Sequence, residues 1–138
     1  MRANELMVND WVGAGYVSRV TGIDLKTDAI RIGGNIGYFK ANEHEPIPIT
    51  PEILKANGFF PKNKFKSIWR KILDDVDYRI EIHFQDNGEI EVKVAENQTN
   101  YNYIVYHGNY IHSLQHALRL AGLDKIADNF IIEKGGEE

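Results

Sequence analysis

Apolar and polar residues alternate most regularly in two stretches of the second half, residues 78–84 and residues 90–94. Every second residue of each stretch is aliphatic or aromatic, which is the pattern of a β-strand with one buried face. The connecting residues include Asn87 and Gly88, both of which tolerate the positive φ that a tight hairpin needs. The pattern therefore predicts an antiparallel hairpin.

Two further apolar stretches, residues 65–73 and residues 101–106, flank this hairpin in the sequence. Each is joined to it by a polar segment of hairpin length, so we predict an antiparallel meander of four strands. After residue 109 the apolar period changes from two residues to about 3.6. Ile111, Leu114 and Leu118 then form one stripe, which predicts a long helix covering one face of the sheet.

The first half contains shorter apolar clusters that are separated by turn signals. Short, closely connected strands with glycine at their corners are typical of a small barrel, here one of SH3-like form. Pro46 and Pro48 favour extended backbone after these strands. Thr50 is then a candidate helix N-cap, with Pro51 in the first helical position.

Together these elements predict an α+β protein with two units. A small N-terminal SH3-like β-barrel module occupies residues 1–49. Residues 50–138 form a short helix, an antiparallel four-stranded meander and one long helix that covers it. The alternatives are that the N-terminal strands join one continuous sheet with the meander, or that both units pack as one compact body.

The composition is that of an ordinary globular protein, with 43% hydrophobic and 26% charged residues. The sequence has no cysteine, which excludes disulfides, thiolate metal ligands and cysteine nucleophiles. It has neither an apolar run of the about 18 residues that span a membrane nor a signal-peptide pattern, so we expect a cytoplasmic protein without a membrane partner. The net charge of −4 has the wrong sign for binding nucleic acid over the whole surface, but it allows a local basic patch.

Histidines supply the first candidate site. His112 and His116 are four residues apart on the predicted helix, so both imidazoles can face one metal ion, with His107 as a third ligand. The residues between them lack the glutamate of an HExxH metalloprotease, which supplies the general base of that chemistry. The alternatives are a metal-dependent hydrolase and two partly exposed histidines on a solvated helix face.

A basic segment at residues 61–71 supplies the second candidate site. Its cations are interleaved with aromatic residues, as in grooves that bind single-stranded nucleic acid through phosphate contacts and base stacking. A solvated strand face with its aromatic residues turned inward would have the same pattern. The candidate residues are Lys62, Lys64, Lys66, Trp69 and Arg70.

A group of tyrosines supplies the third candidate site, a protein-binding surface. Tyrosine offers rigid contact area with few rotamers to freeze, and asparagines surround these residues in the sequence. Sheet packing is the alternative for at least part of the group. The candidate residues are Tyr101, Tyr103, Tyr106 and Tyr110.

Three segments resemble a family of short uncharacterised proteins encoded in prophages and mobile elements of gut anaerobic bacteria. They are MRANELMVNDWV at residues 1–12, EPIPITPEILKANGF at residues 45–59 and IHSLQHALRLAGL at residues 111–123. The resemblance implies a cytoplasmic bacterial protein that is related to phage. It implies no catalytic or binding residue, because the family has no assigned activity.

The sequence contains neither a GxSxG elbow nor an evident carboxylate pair. Our leading hypothesis is therefore a non-enzymatic binding or adaptor protein that needs no cofactor and has a protein partner. It rests in part on the use of small barrels for recognition, which is an analogy at the level of the fold. Binding of single-stranded nucleic acid and metal-dependent hydrolysis are the alternatives.

Overall fold

The computed structural model describes residues 1–14, 16–62, 64, 67–73, 78–96 and 102–132, with the backbone alone for residues 102–106. Within these residues the chain forms two antiparallel sheets and three α-helices, which confirms the predicted α+β class. Two short 3₁₀ helices, Ala3–Glu5 and Ala41–Glu43, accompany the first sheet.

The first sheet has four strands in chain order. They are β1 (Trp11–Gly13), β2 (Val17–Asp24), β3 (Ala29–Ile32) and β4 (Phe39–Lys40). In the described strands, β1 and β4 are the two edges and do not pair with each other, so the SH3-like closure is not confirmed. The sheet has a small core of its own, formed by Ala3, Leu6, Val12, Val20, Ile30, Ile32 and Ala41.

The second sheet confirms the predicted meander and adds one short edge strand to it. Its strands are β5 (Phe60–Pro61), β6 (Ile68–Ile72), β7 (Tyr78–Phe84), β8 (Ile90–Glu96) and β9 (Asn102–Gly108), and they lie in chain order. The hairpin between β7 and β8 pairs Phe84 with Ile90, and Gly88 in its turn has a φ of +86°. The positive φ is the reason why glycine suits this position.

Three α-helices accompany the second sheet, α1 (Pro51–Ala56), α2 (Ile111–Leu120) and α3 (Asp124–Asp128). The predicted covering helix is present as α2, but the long helix is not shown, because α2 stops after ten residues. Leu123 N donates to Leu118 O, Gly122 N donates to Arg119 O, and Gly122 has a φ of +82°. This is a Schellman stop, which turns the chain so that α3 completes the cover.

The main core lies between the inner face of the second sheet and the three helices. From the sheet it receives Trp69, Ile80, Ile82, Ile90 and Val92, and from the helices and the segment after them Leu54, Ile111, Leu114, Leu118, Ala127 and Phe130. Trp11 and Val17 of the first sheet pack against the same cluster. Because all three helices pack on the inner face, no described helix covers the outer face.

Candidate functional site

Buried or partly buried polar side chains gather in two places among the described residues. We call the first the interface cluster, which lies between the first sheet and α2. It consists of Asp10, Gln115, His116, Arg119 and Asp128. We call the second the outer-face cluster, which lies on the face of the second sheet opposite the described helices. It consists of Lys62, Arg70, Arg79, Glu81, His83, Glu91 and Lys93.

Asp10 is the centre of the interface cluster and is fully buried. Its Oδ1 accepts a hydrogen bond from Arg119 Nη1 at 2.7 Å, and its Oδ2 lies 2.5 Å from His116 Nε2. Arg119 also pairs with Asp128 of α3 at 3.1 Å. A buried carboxylate with two such partners is compensated, as a buried charge must be.

Gln115 is also fully buried and connects three parts of the chain. Its Oε1 accepts a hydrogen bond from Trp11 N at 3.0 Å. Its Nε2 donates to Asn9 O and to Ala127 O, both at 2.9 Å. The side chain therefore satisfies backbone groups of β1, of the segment before it and of α3 at the same time.

These contacts correct the expectation of a solvated histidine face on the helix. His112 is buried, and His116 and Arg119 face Asp10 of the first half. The periodicity of α2 correctly separated its apolar stripe from its polar side. It could not show that the polar side meets another polar surface, because that contact joins residues more than a hundred positions apart.

His112 is buried between Tyr110 and His116. Its Nδ1 has no hydrogen-bond partner among the described residues, and its ring stacks on Tyr110 with 6.1 Å between centroids. The ring of His116 meets it edge-on at 5.8 Å. Burial lowers the pKa of His112 below its ordinary value, so the neutral imidazole is favoured.

The three histidines that were predicted to bind one metal ion, His107, His112 and His116, do not come together. His107 is exposed on β9, where Glu91 is its nearest charged partner at 3.9 Å, whereas His112 and His116 lie on α2. In the described part of the chain, no group of three or more His, Asp or Glu residues is arranged to hold a metal ion. The metal-dependent hydrolase therefore has no third ligand there.

The basic segment is divided between the two faces of the second sheet. Trp69 is only 5% exposed and pairs with Ile82 inside the core, so its indole is not available for base stacking. Lys62 and Arg70 instead reach the outer face. Lys64 is exposed, and Lys66 lies outside the described residues.

Glu81 is the centre of the outer-face cluster. Its Oε2 receives Arg70 Nη2 at 2.9 Å, Arg79 Nε at 3.1 Å and Lys62 Nζ at 3.5 Å, and its Oε1 lies 3.1 Å from His83 Nε2. Burial acts to raise the pKa of this carboxyl. The hydrogen bonds from the imidazole and the two guanidinium groups act in the opposite direction, as does the ammonium group of Lys62. The net effect lowers the pKa of Glu81 to about 2.

The strand register explains how this cluster forms. Arg70, Glu81 and Lys93 are Cα partners across β6, β7 and β8, so their side chains share the outer face. The sequence placed Arg79, Glu81 and His83 on one strand face, but it did not identify Glu81 as a shared partner. No local signal shows which residues of β6 and β8 will lie opposite β7.

Phe60 is a further outer-face residue that the sequence analysis did not single out. It is the Cα partner of Arg70 on β5 and is 44% exposed. An exposed ring beside an arginine is a contact surface for a planar ligand group.

The tyrosine group falls largely outside what the structure describes. Tyr101 lies outside the described residues, as do the side chains of Tyr103 and Tyr106. The backbone of β9 pairs Tyr103 with Val94 and Tyr106 with Val92. Tyr110 is 41% exposed and is the N-cap residue of α2. The predicted protein-binding surface therefore stays a prediction.

Comparison with known proteins adds no relative. No protein-family model matches this chain, and neither a curated protein nor a solved structure matches it. The resemblance to prophage-encoded proteins thus stays an expectation from the sequence. None of the described helices is long and apolar enough to cross a membrane.

Proposed function

We propose that this chain is a non-enzymatic binding protein whose contact surface is the outer face of the second sheet and whose partner is a protein with an acidic surface. One observation carries the proposal. Four cations, Lys62, Arg70, Arg79 and Lys93, surround two carboxylates, Glu81 and Glu91, on a sheet face that no described helix covers.

The charge of this face is opposite to that of the rest of the molecule. The four cations and two carboxylates leave a net charge of +2 with neutral histidines. Since the whole chain carries −4, the remaining residues together carry −6. A separation of charge of this kind orients an acidic partner during encounter and disfavours contact elsewhere.

The cluster also holds its cations in place before a partner arrives. Glu81 engages Nε and Nη2 of Arg70, which fixes the plane of the guanidinium group. Arg79 is fixed in the same way through Nε and by a hydrogen bond from its Nη1 to Glu96 O at 2.6 Å. Fixed side chains lose less conformational entropy on binding, which favours affinity.

Binding of single-stranded nucleic acid is the second candidate function, and Phe60 favours it. The buried position of Trp69 counts against the stacking residue that the sequence predicted. Phe60 is exposed beside Arg70, so we assign base stacking to Phe60 instead of Trp69. Cations for phosphates and one ring for a base then lie on the same face.

The resemblance to prophage-encoded proteins extends the first proposal. It suggests that the acidic partner is a cytoplasmic bacterial protein or a phage protein.

The test compares two anionic probes, a labelled polyglutamate peptide and a labelled oligothymidylate, by fluorescence anisotropy at low salt. The double variant Lys62→Gln, Lys93→Gln should weaken binding about tenfold, because it removes two positive charges from the face. The control Lys26→Gln, Lys55→Gln removes the same charge from exposed residues elsewhere and should leave affinity unchanged. If both double variants lose the same affinity, or if neither probe binds the wild-type protein, the outer face is not the contact surface.

Phe60→Ala separates the two partner classes. It should weaken binding of the oligothymidylate by about fivefold or more, since stacking on an aromatic ring is worth about 1–3 kcal/mol per base. Binding of polyglutamate, which has no base to stack, should not change. If the wild-type protein binds polyglutamate more tightly than oligothymidylate, and Phe60→Ala leaves the affinity for polyglutamate unchanged, the result supports a protein partner. If oligothymidylate binds more tightly and Phe60→Ala weakens its binding, the result supports nucleic acid.

A further inference from the structure

A cleft of about 470 Å³ lies on the other side of the second sheet, between the end of α1, β6 and the end of α3. This volume falls within the range of small-molecule sites in proteins. Its lining includes Phe59, Lys71, Lys125, Ile126, Phe130 and Ile131.

The wall of the cleft is fixed by a pair of hydrogen bonds. Asn57 Nδ2 donates to Ile131 O at 2.7 Å, and Asn57 Oδ1 accepts from Ile131 N at 2.7 Å. The amide of Asn57 thus joins the end of α1 to the segment after α3, although the two residues are 74 positions apart. A wall held in this way is present before a ligand binds, which reduces the entropic cost of binding.

Lys71 lies beside Gly58 at the end of α1. Its Nζ donates to Asn57 O at 2.6 Å and lies 5.9 Å from the centre of the Phe59 ring. Gly58 has a φ of +83°, and a Cβ there would lie 2.9 Å from Lys71 Nζ. An ammonium group has three donors, so its bond to the carbonyl of Asn57 leaves two donors for a ligand.

A second cation and apolar residues complete the cleft. Lys125 is exposed on α3 and forms no salt bridge with any described residue. Ile126, Phe130 and Ile131 supply apolar surface next to it, and no Asp or Glu is among the described residues that line the cleft. Within the described lining, two lysines and no carboxylate form a local positive region on a chain with a net charge of −4.

We infer that this cleft binds a small organic anion with an apolar body. The acidic group of the ligand lies between Lys71 and Lys125, and its apolar body packs against Ile126, Phe130 and Ile131. The inference does not depend on the proposed function, because the cleft shares no residue with the outer-face cluster.

The experiment uses anilinonaphthalene sulfonate, an aromatic sulfonate, as the probe and uncharged phenylnaphthylamine as its matched control. Fluorescence titration of the wild-type protein should give one saturable site for the sulfonate and binding at least about tenfold weaker for the uncharged compound. Lys125→Met should weaken sulfonate binding about tenfold, since it removes one cation from an exposed position without disturbing the core. Lys55→Met removes the same charge from α1 outside the cleft and should have no effect.

Amide chemical shifts locate the probe. The sulfonate should shift the signals of Gly58, Ile126 and Ile131 in the wild-type protein, and the Lys62→Gln, Lys93→Gln variant should bind it with unchanged affinity. Equal affinity of the charged and uncharged compounds, equal effects of Lys125→Met and Lys55→Met, or shifts confined to other residues would overturn the inference.

Discussion

At the scale of single residues, Glu81 shows how the charges of this protein depend on non-local contacts. The alternation of β7 predicts that Arg79, Glu81 and His83 share one face, and the register confirms it. The convergence of Lys62 and Arg70 on the same carboxylate could not be predicted, because it requires the pairing of β6 with β7. A carboxylate with several charge-assisted hydrogen bonds stabilises the fold only while it is ionised.

Glu81→Gln should therefore reduce stability in a pH-dependent way. The pKa of Glu81 falls from 4.5 to about 2 on folding, so its contribution is complete above pH 4.5 and is lost as the pH falls toward 2. At pH 7 we expect the variant to lose about 1–3 kcal/mol of unfolding free energy in urea, because three cations and His83 lose their anionic partner.

The difference between wild-type protein and Glu81→Gln should shrink as the pH decreases from 4.5. Glu89→Gln, a change at an exposed residue of the neighbouring hairpin turn, is the control and should have little effect at any pH. A difference that stays constant between pH 7 and pH 3 would contradict the role assigned to the Glu81 carboxylate.

At the scale of elements, the features that could be predicted depend on neighbours in the sequence. Thr50 and Pro51 marked the start of α1, and α1 spans Pro51–Ala56. The hairpin turn at Asn87 and Gly88 is local in the same sense. The long helix that was predicted to cover the sheet is not shown, because α2 ends after ten residues and the chain continues in the separate helix α3.

Thr50→Ala tests the local origin of α1. The Oγ1 atom of Thr50 accepts a hydrogen bond from Ile53 N at 3.3 Å, and its loss should cost about 1 kcal/mol of unfolding free energy. Thr50→Asn, which retains a capping oxygen, should lose less. Equal losses in both variants in urea titrations would show that α1 depends on packing of Leu54 rather than on its cap.

At the scale of the whole molecule, the contact between the first sheet and the helices is the feature that sequence reasoning could least foresee. Its hydrogen bonds join Trp11 to Gln115 and to Phe130, and Asp10 to Arg119, across more than a hundred positions. Arg19 adds a further bond to Phe130 O at 2.7 Å. Polar partners of this kind leave no periodic pattern, because each side alone has the composition of a solvated surface.

The predicted boundary between the two units, at residues 49 and 50, stays a prediction. The contacts of the segment before it show how that segment is attached to the second half. Ile47 and Ile49 are buried in the main core, where Ile111 N donates to Ile47 O and Ile49 N donates to Asn109 O. The segment before α1 is therefore fixed to the second half by packing and hydrogen bonds. A protease can cleave this segment only after local unfolding of the main core. We therefore expect the folded chain to resist cleavage there.

Gln115→Leu tests whether the two halves hold together through the interface cluster. Leucine has a similar volume but removes the partner of the buried Ala127 O and of the partly buried Trp11 N and Asn9 O, which should cost about 3 kcal/mol. We expect the wild-type chain to resist limited proteolysis at residues 46–50 and the variant to be cut there. Gln85→Leu, at an exposed position of the connection between β7 and β8, is the control and should stay resistant. If the wild-type chain is cut at these residues and yields two stable fragments, the halves are independent modules and Gln115 does not unite them.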